Sequence, residues 1–168
     1  MPSIIVPAHN EATVIRACLD SLLKQAGVDR IIVACNGCTD TTASIVQSEY
    51  PQVTCLDLSI PSKVNALNEA EKHVLSWPVF YIDADTKLSS GAIQKITEVM
   101  AQGNLLLAAP EPVIDTSRSS WLVKQYYKVW LSLPYIREGV VATCSFVISA
   151  EGRKRFSNFP NVINDDGF

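Results

Sequence analysis

The chain has 168 residues, of which 48% are hydrophobic and 18% charged, and its formal net charge is −3. That length and apolar content fit one sizeable core and a single domain, and they exclude a disordered tail. That net charge and a pI near 5.3 leave no basic stripe, which argues against nucleic acid as the main partner, while Lys63 and Arg153-Lys154-Arg155 supply local basicity that could still meet phosphates.

The first predicted element is a strand over residues 3–7, apolar enough to be covered on both faces. Met1-Pro2-Ser3-Ile4-Ile5-Val6-Pro7 has no basic leader and breaks at Pro7, so it reads as a core strand and not a signal peptide. Asn10 is the expected N-cap of a helix running to about Gln25, with Val14, Cys18 and Leu22 at helical spacing and Gly27 as its stop. A second buried strand covers 29–35, and Thr39 is expected to cap a helix that runs to Glu49 before Pro51. A third strand covers 53–58, a helix 63–75 is capped by Ser62, and a fourth strand covers 79–82. Ser89 then caps a helix over 91–100, and 105–109 forms a fifth strand.

This alternation predicts a mostly parallel sheet with helices on both faces, whose ligands bind beyond the carboxyl ends of the strands. Beyond it the pattern changes to an aromatic helix over 121–133, a strand over 140–149 and a helix over 150–156. Trp121, Tyr126, Tyr127 and Trp130 fall at helical spacing, where a core role outweighs a sugar-stacking platform. No apolar run reaches the roughly 18–20 residues that span a bilayer. Five cysteines in a chain without an export signal point to reduced thiols and a cytoplasmic protein. The chain ends at Asn164-Asp165-Asp166-Gly167-Phe168, directly after two acidic residues, which predicts a truncated domain.

Four segments carry chemistry-bearing residues. Asp83-Ala84-Asp85 closes the fourth strand. In an extended segment alternate side chains point the same way, so the two carboxylates project to one side as hard oxygen ligands that suit a divalent cation holding a diphosphate. A solvated turn is the plain alternative. Pro7-Ala8-His9-Asn10-Glu11 is either a strand-to-helix turn or a nucleotide-contacting loop. Cys35-Asn36-Gly37-Cys38-Thr39-Asp40 admits three readings: a thiol redox pair, a structural turn, or a base- and ribose-recognising loop using Asn36 and Asp40. Lys63, in the first turn of a helix, is either a surface lysine or a phosphate contact.

In these segments the chain resembles the family 2 glycosyltransferases. The match runs through residues 4–11, 31–42, 62–68 and 81–85 to Asn164-Asp165-Asp166, in family order. The resemblance implies a GT-A fold, a three-layer α/β/α sandwich around a mostly parallel sheet. It also implies inverting transfer of a sugar from a nucleotide-diphosphate donor to an acceptor hydroxyl, assisted by Mg²⁺ or Mn²⁺. Residues 1–110 would form the nucleotide-binding half and 111–168 part of the acceptor-side half.

By the same resemblance, Pro7, Ala8, His9, Asn10, Glu11, Asn36, Asp40, Lys63, Asp83 and Ala84 would contact the donor. Asn36 stands where many relatives have Asp. Asp85, with Asp83, would bind the metal. Asp166 would be the catalytic base, with Asp165 before it in place of the more usual Glu. Gly139-Val140-Val141-Ala142-Thr143-Cys144-Ser145 would approach donor and acceptor. The acceptor would be a carbohydrate or lipid-linked molecule, a role compatible with peripheral contact at the inner face of a membrane. The alternative is a nucleotide-sugar-binding module without turnover.

Overall fold

The strands of a computed structural model, in chain order, are β1 (Ser3–Ala8), β2 (Arg30–Asn36), β3 (Thr54–Leu58), β4 (Val79–Ile82), β5 (Leu107–Ala108) and β6 (Ser145–Ile148). The helices are α1 (Ile15–Leu22), α2 (Thr42–Glu49), α3 (Lys63–Glu71), α4 (Ala92–Gly103), α5 (Trp121–Trp130) and α6 (Ala150–Arg153). The structure describes residues 1–117, 119–133 and 145–160. The six strands lie in the order β3-β2-β1-β4-β6-β5.

Every residue of β1 is buried, because apolar side chains leave both faces of the strand and helices cover both. Ile4 and Val6 pack with Ile15, Leu19 and Leu22 of α1, Val46 of α2 and Ile93 of α4. On the opposite face Ile5, Ile32 and Tyr81 pack with Val64, Leu67 and Ala70 of α3 and with Phe159. The expected three layers are therefore present.

The pairings β1–β2, β1–β4 and β2–β3 are parallel, with Ala8 opposite Cys35 and Asn36 opposite Leu58. The carboxyl ends of these strands share one sheet edge. β6 runs antiparallel to β4 and places Ser145 opposite Ile82, so the segment after residue 110 completes the same sheet.

Several expected boundaries move. α1 starts at Ile15, with no side-chain cap, because Asn10 takes a left-handed backbone (φ 57) and belongs to a loop. α2 starts after Thr41 and not at Thr39, and α3 ends at Glu71. Ser62 does cap α3, its hydroxyl accepting the Asn65 N–H at 3.2 Å. Gly91, itself left-handed, precedes α4 in place of a Ser89 side-chain cap. The fifth strand shrinks to two residues, and the last helix to one turn. The largest departure is α5, none of whose residues is buried: Trp121 is 72% exposed and Tyr126 62%. Its apolar periodicity does not mark core in the described structure.

Candidate active site

Beyond the buried Pro7 and Ala8, β1 opens into a loop that is tied to the loop after β2. Asn10 Oδ1 accepts the Thr39 N–H at 2.8 Å and the Asp40 N–H at 3.2 Å. Asp40 in turn accepts the Ala12 N–H at 3.1 Å, the Thr42 N–H at 2.9 Å and the Thr42 hydroxyl at 2.5 Å. These bonds, the Thr42 hydroxyl first, hold the Asp40 carboxyl below the usual carboxylate range. Thr42 Oγ1 also accepts the Glu11 N–H at 2.8 Å. Asn10, Asp40 and Thr42 thus fix the backbone that presents Glu11.

Asn36 is buried, and its side-chain amide donates to the Ala8 carbonyl at 2.9 Å. Its own carbonyl lies 2.6 Å from His9 Nδ1, a geometry that assigns the ring proton to Nδ1. His9 is exposed, with Nε2 within 3.4 Å of the Asn10 side-chain nitrogen.

After Ile82 the chain leaves the extended conformation. The Thr86 N–H donates to the Asp83 carbonyl at 3.0 Å, so Ala84 and Asp85 occupy a turn. The two acids border one cleft because of that turn, not because of strand alternation. Lys63 Nζ, in the first turn of α3, meets Asp83 Oδ1 at 2.9 Å. Below them Cys18 Sγ lies 3.8 Å from the Asp83 carbonyl oxygen. Burial, followed by the charges of Asp85, Asp83 and Glu11, pushes its thiol up to about 12, so Cys18 stays a neutral thiol behind the cleft lining.

The cleft encloses about 200 Å³ and is lined by Pro7, His9, Glu11, Asn36, Lys63, Asp83, Ala84 and Asp85. Of the expected donor contacts, Ala8, Asn10 and Asp40 are not in this lining and act from behind it. Asp165 and Asp166 lie outside the described residues, as does the expected approach segment up to Cys144. Glu11 is raised above the ordinary carboxylate value by partial burial, then by the negative charges of Asp85, Asp40 and Asp83.

That crowding of carboxylates fits a hard divalent cation, which would relieve it. The described residues contain no group of three or more His, Cys, Asp or Glu side chains set to hold a metal by themselves. One or two carboxylates that complete their shell with substrate phosphates suit Mg²⁺ or Mn²⁺ better than a closed protein cage would.

The redox reading of Cys35 and Cys38 has the wrong electrostatics. Cys35 is fully buried, and its thiol is pushed up by its contact with the Cys55 side chain and by burial, the reverse of an activated thiol. All four described cysteines are free thiols.

The model for glycosyl transferase family 2 matches residues 3–152, nearly the whole chain. The chain belongs to glycosyl transferase family 2. Chondroitin synthase of Pasteurella multocida (strain Pm70) is 31% identical over 96 residues, which are 55% of this chain and 10% of that protein. Among solved structures, S. aureus TarS 1-349 superposes with a TM-score of 0.70 at 17% identity, over 98% of this chain and 52% of that one. TarS 1-349 in complex with UDP-GlcNAc gives 0.65 at the same identity, over 95% and 48%. The mannosyltransferase PcManGT from Pyrobaculum calidifontis, in complex with GDP-Man and Mn2+, gives 0.71 at 22% identity, over 98% and 49%. This family 2 chain thus has the GT-A fold and spans about a tenth of that curated relative and about half of each of these solved chains.

One feature of the site escapes sequence reading. Thr42 organises the Glu11 loop, and only its place next to Asp40 hints at this. Ser145 is 5% exposed beside Ile82, and its hydroxyl finds no hydrogen-bond partner among the described residues. Ser145 is the last residue of the expected approach segment, and the antiparallel register of β6 fixes its position opposite Ile82.

Proposed function

We propose that this family 2 chain binds a nucleoside diphosphate sugar and transfers the sugar, with inversion and with metal assistance, to an acceptor hydroxyl. The observation that carries this reading is the meeting of Glu11, Asp83, Asp85 and Lys63 around one cleft at the carboxyl ends of the parallel strands. The neighbours solved with UDP-GlcNAc and with GDP-Man and Mn2+ support the same donor class.

Asp85, with Asp83 beside it, would hold Mg²⁺ or Mn²⁺, which when bound neutralises charge developing on the departing diphosphate. Lys63 adds positive charge at the start of α3, where backbone N–H groups also favour a phosphate. Pro7, His9 and Asn36 form the wall for the base and ribose, and Ala8, Asn10 and Asp40 stiffen it. Asp166, with Asp165 before it, takes the acceptor hydroxyl's proton. Attack from the face opposite the leaving group inverts the anomeric carbon. The acceptor is a carbohydrate or a lipid-linked molecule, and a cytoplasmic setting near the inner face of a membrane belongs to this reading.

The test is a thermal-shift screen of UDP, GDP, UDP-GlcNAc and GDP-mannose with Mn²⁺, followed by a donor-turnover assay. A true ligand at a hundredfold excess over Kd stabilises the fold by about 2.7 kcal/mol. Asp85→Ala is expected to abolish transfer and the metal dependence of nucleotide binding, and unchanged transfer would remove the metal assignment. Binding without turnover in the unsubstituted chain would instead identify a binding module.

A further inference from the structure

α3 meets the site at more than its first residue. Lys63, at its start, pairs with Asp83 in the cleft. Five residues later, about 7.5 Å along the helix axis, Asn68 makes a reciprocal pair of bonds to the backbone of one distant residue. The Phe159 N–H donates to Asn68 Oδ1 at 2.9 Å, and Asn68 Nδ2 donates to the Phe159 carbonyl at 3.2 Å. An asparagine is suited to this, because one side chain offers both an acceptor and a donor. The Phe159 ring is buried and meets Tyr81 edge-on at 5.3 Å, two residues before Asp83.

One turn further on, Glu71 accepts two bonds from Arg153 Nε, at 2.8 and 2.9 Å, and one from Nη2 at 2.8 Å. The same guanidinium donates to the carbonyls of Phe156, at 2.5 Å, and Ser157, at 2.8 Å. Residues 156–159 are thus held by side-chain bonds to α3 and α6. Asp166 follows Phe159 by seven positions, a stretch that reaches at most about 25 Å when fully extended.

We infer that Asn68 is a positioning residue for glycosyl transfer: by clasping the Phe159 backbone on both sides of its Cα it sets where the segment carrying Asp165 and Asp166 starts, relative to the donor cleft. The inference rests on the transferase reading of Asp166. It separates two tasks along one helix, with Lys63 serving the diphosphate and Asn68 serving the delivery of the base. Both side-chain bonds of Asn68 go to Phe159 and not to a cleft residue, so its loss should spare donor binding and weaken the chemical step, because misplacing a catalytic group by about 1 Å can cost roughly a hundredfold.

The experiment compares the unsubstituted chain with Asn68→Leu, which removes both bonds at similar volume, and Asn68→Asp, which keeps only the acceptor. Calorimetric titration with UDP and GDP in Mn²⁺ reads binding, and release of UDP or GDP from UDP-GlcNAc and GDP-mannose reads turnover. Asn68→Leu is expected to lower kcat by tenfold to a hundredfold with nucleotide Kd and donor KM within twofold, and Asn68→Asp should fall between. A folded Asn68→Leu protein with unchanged kcat, or one that loses kcat and nucleotide affinity in parallel, overturns the inference. If the unsubstituted chain turns over no donor, the transferase reading fails by itself. Amide exchange then decides the clasp, since a Phe159 N–H as protected in Asn68→Leu as before would overturn it.

Discussion

Asn10 carries a backbone conformation that non-glycine residues rarely adopt, and its side chain is the reason it can. Its carboxamide oxygen satisfies two consecutive N–H groups of the opposite loop, at Thr39 and Asp40. Asn10→Ala keeps the strain and loses both bonds, so urea denaturation should show a loss of about 1–2 kcal/mol. Asp40 works by ionisation: its folded pKa lies below the ordinary 3.8, so its stabilisation is complete above that value and is lost as pH falls through the lower folded value. Asp40→Asn should therefore lower the melting temperature at pH 7, and the gap from the parent should close as the pH drops below 3.8. Glu11, Lys63, Asp83 and Asp85 are legible in the sequence as cleft residues because each follows a strand end or opens a helix on the sheet's carboxyl edge. Asn36 and Asp40 are legible only as polar loop residues. Whether such a side chain faces a ligand or a neighbouring loop depends on partners about 30 residues away, and no local pattern encodes those.

The elements that matter are the connections, and Gly37 shows how tightly they pack. It sits at φ +58, and a Cβ there would lie 2.7 Å from the Pro61 Cβ and 2.8 Å from the Pro61 backbone. Its N–H donates to the Leu58 carbonyl at 2.7 Å. The loop after β2 is thus pressed against the residue that leads into Ser62 and Lys63. Gly37→Ala must push α3's first turn away from the cleft, and both effects are destabilising. A fall in melting temperature together with at least about tenfold weaker nucleotide binding by calorimetry is the expected result. Strand positions up to β4 are readable in the sequence because parallel, doubly covered strands are short apolar runs between turn residues. Helix starts are less so. Asn10 and Thr39 have the composition of caps, but their hydrogen-bonding groups serve the loop-to-loop contact, and α1 and α2 begin several residues later.

For the whole molecule, the two faces of the sheet have different characters. The face covered by α1, α2 and α4 carries the larger apolar cluster, with the buried Gln25 bonded to the Ser89 carbonyl beside it, whereas the α3 face contains a polar centre around Arg153, Glu71 and Tyr81. Arg153 and Glu71 are 19% and 10% exposed, so removing either leaves a largely buried charge without its partner. Arg153→Ala should cost about 3–5 kcal/mol in chemical denaturation, whereas Arg16→Ala, at the exposed Arg16–Glu49 pair, should change stability by no more than about 1 kcal/mol. The sequence marks Arg153 only as one of three adjacent basic residues. Its role emerges because β6 lies antiparallel beside β4 and brings α6 over α3, a pairing across more than sixty residues.

α5 leaves the protein with an optical asymmetry. Two of the three tryptophans, Trp121 and Trp130, are on that helix, while Trp77 packs against the α3-side core, and none of them lines the cleft. Emission from Trp121, 72% exposed, should be red-shifted and open to iodide quenching. Filling the cleft with nucleotide and Mn²⁺ should leave that signal nearly still, whereas any molecule that settles on α5 should shift it to the blue. The chain's own fluorescence would then tell the two surfaces apart without a label.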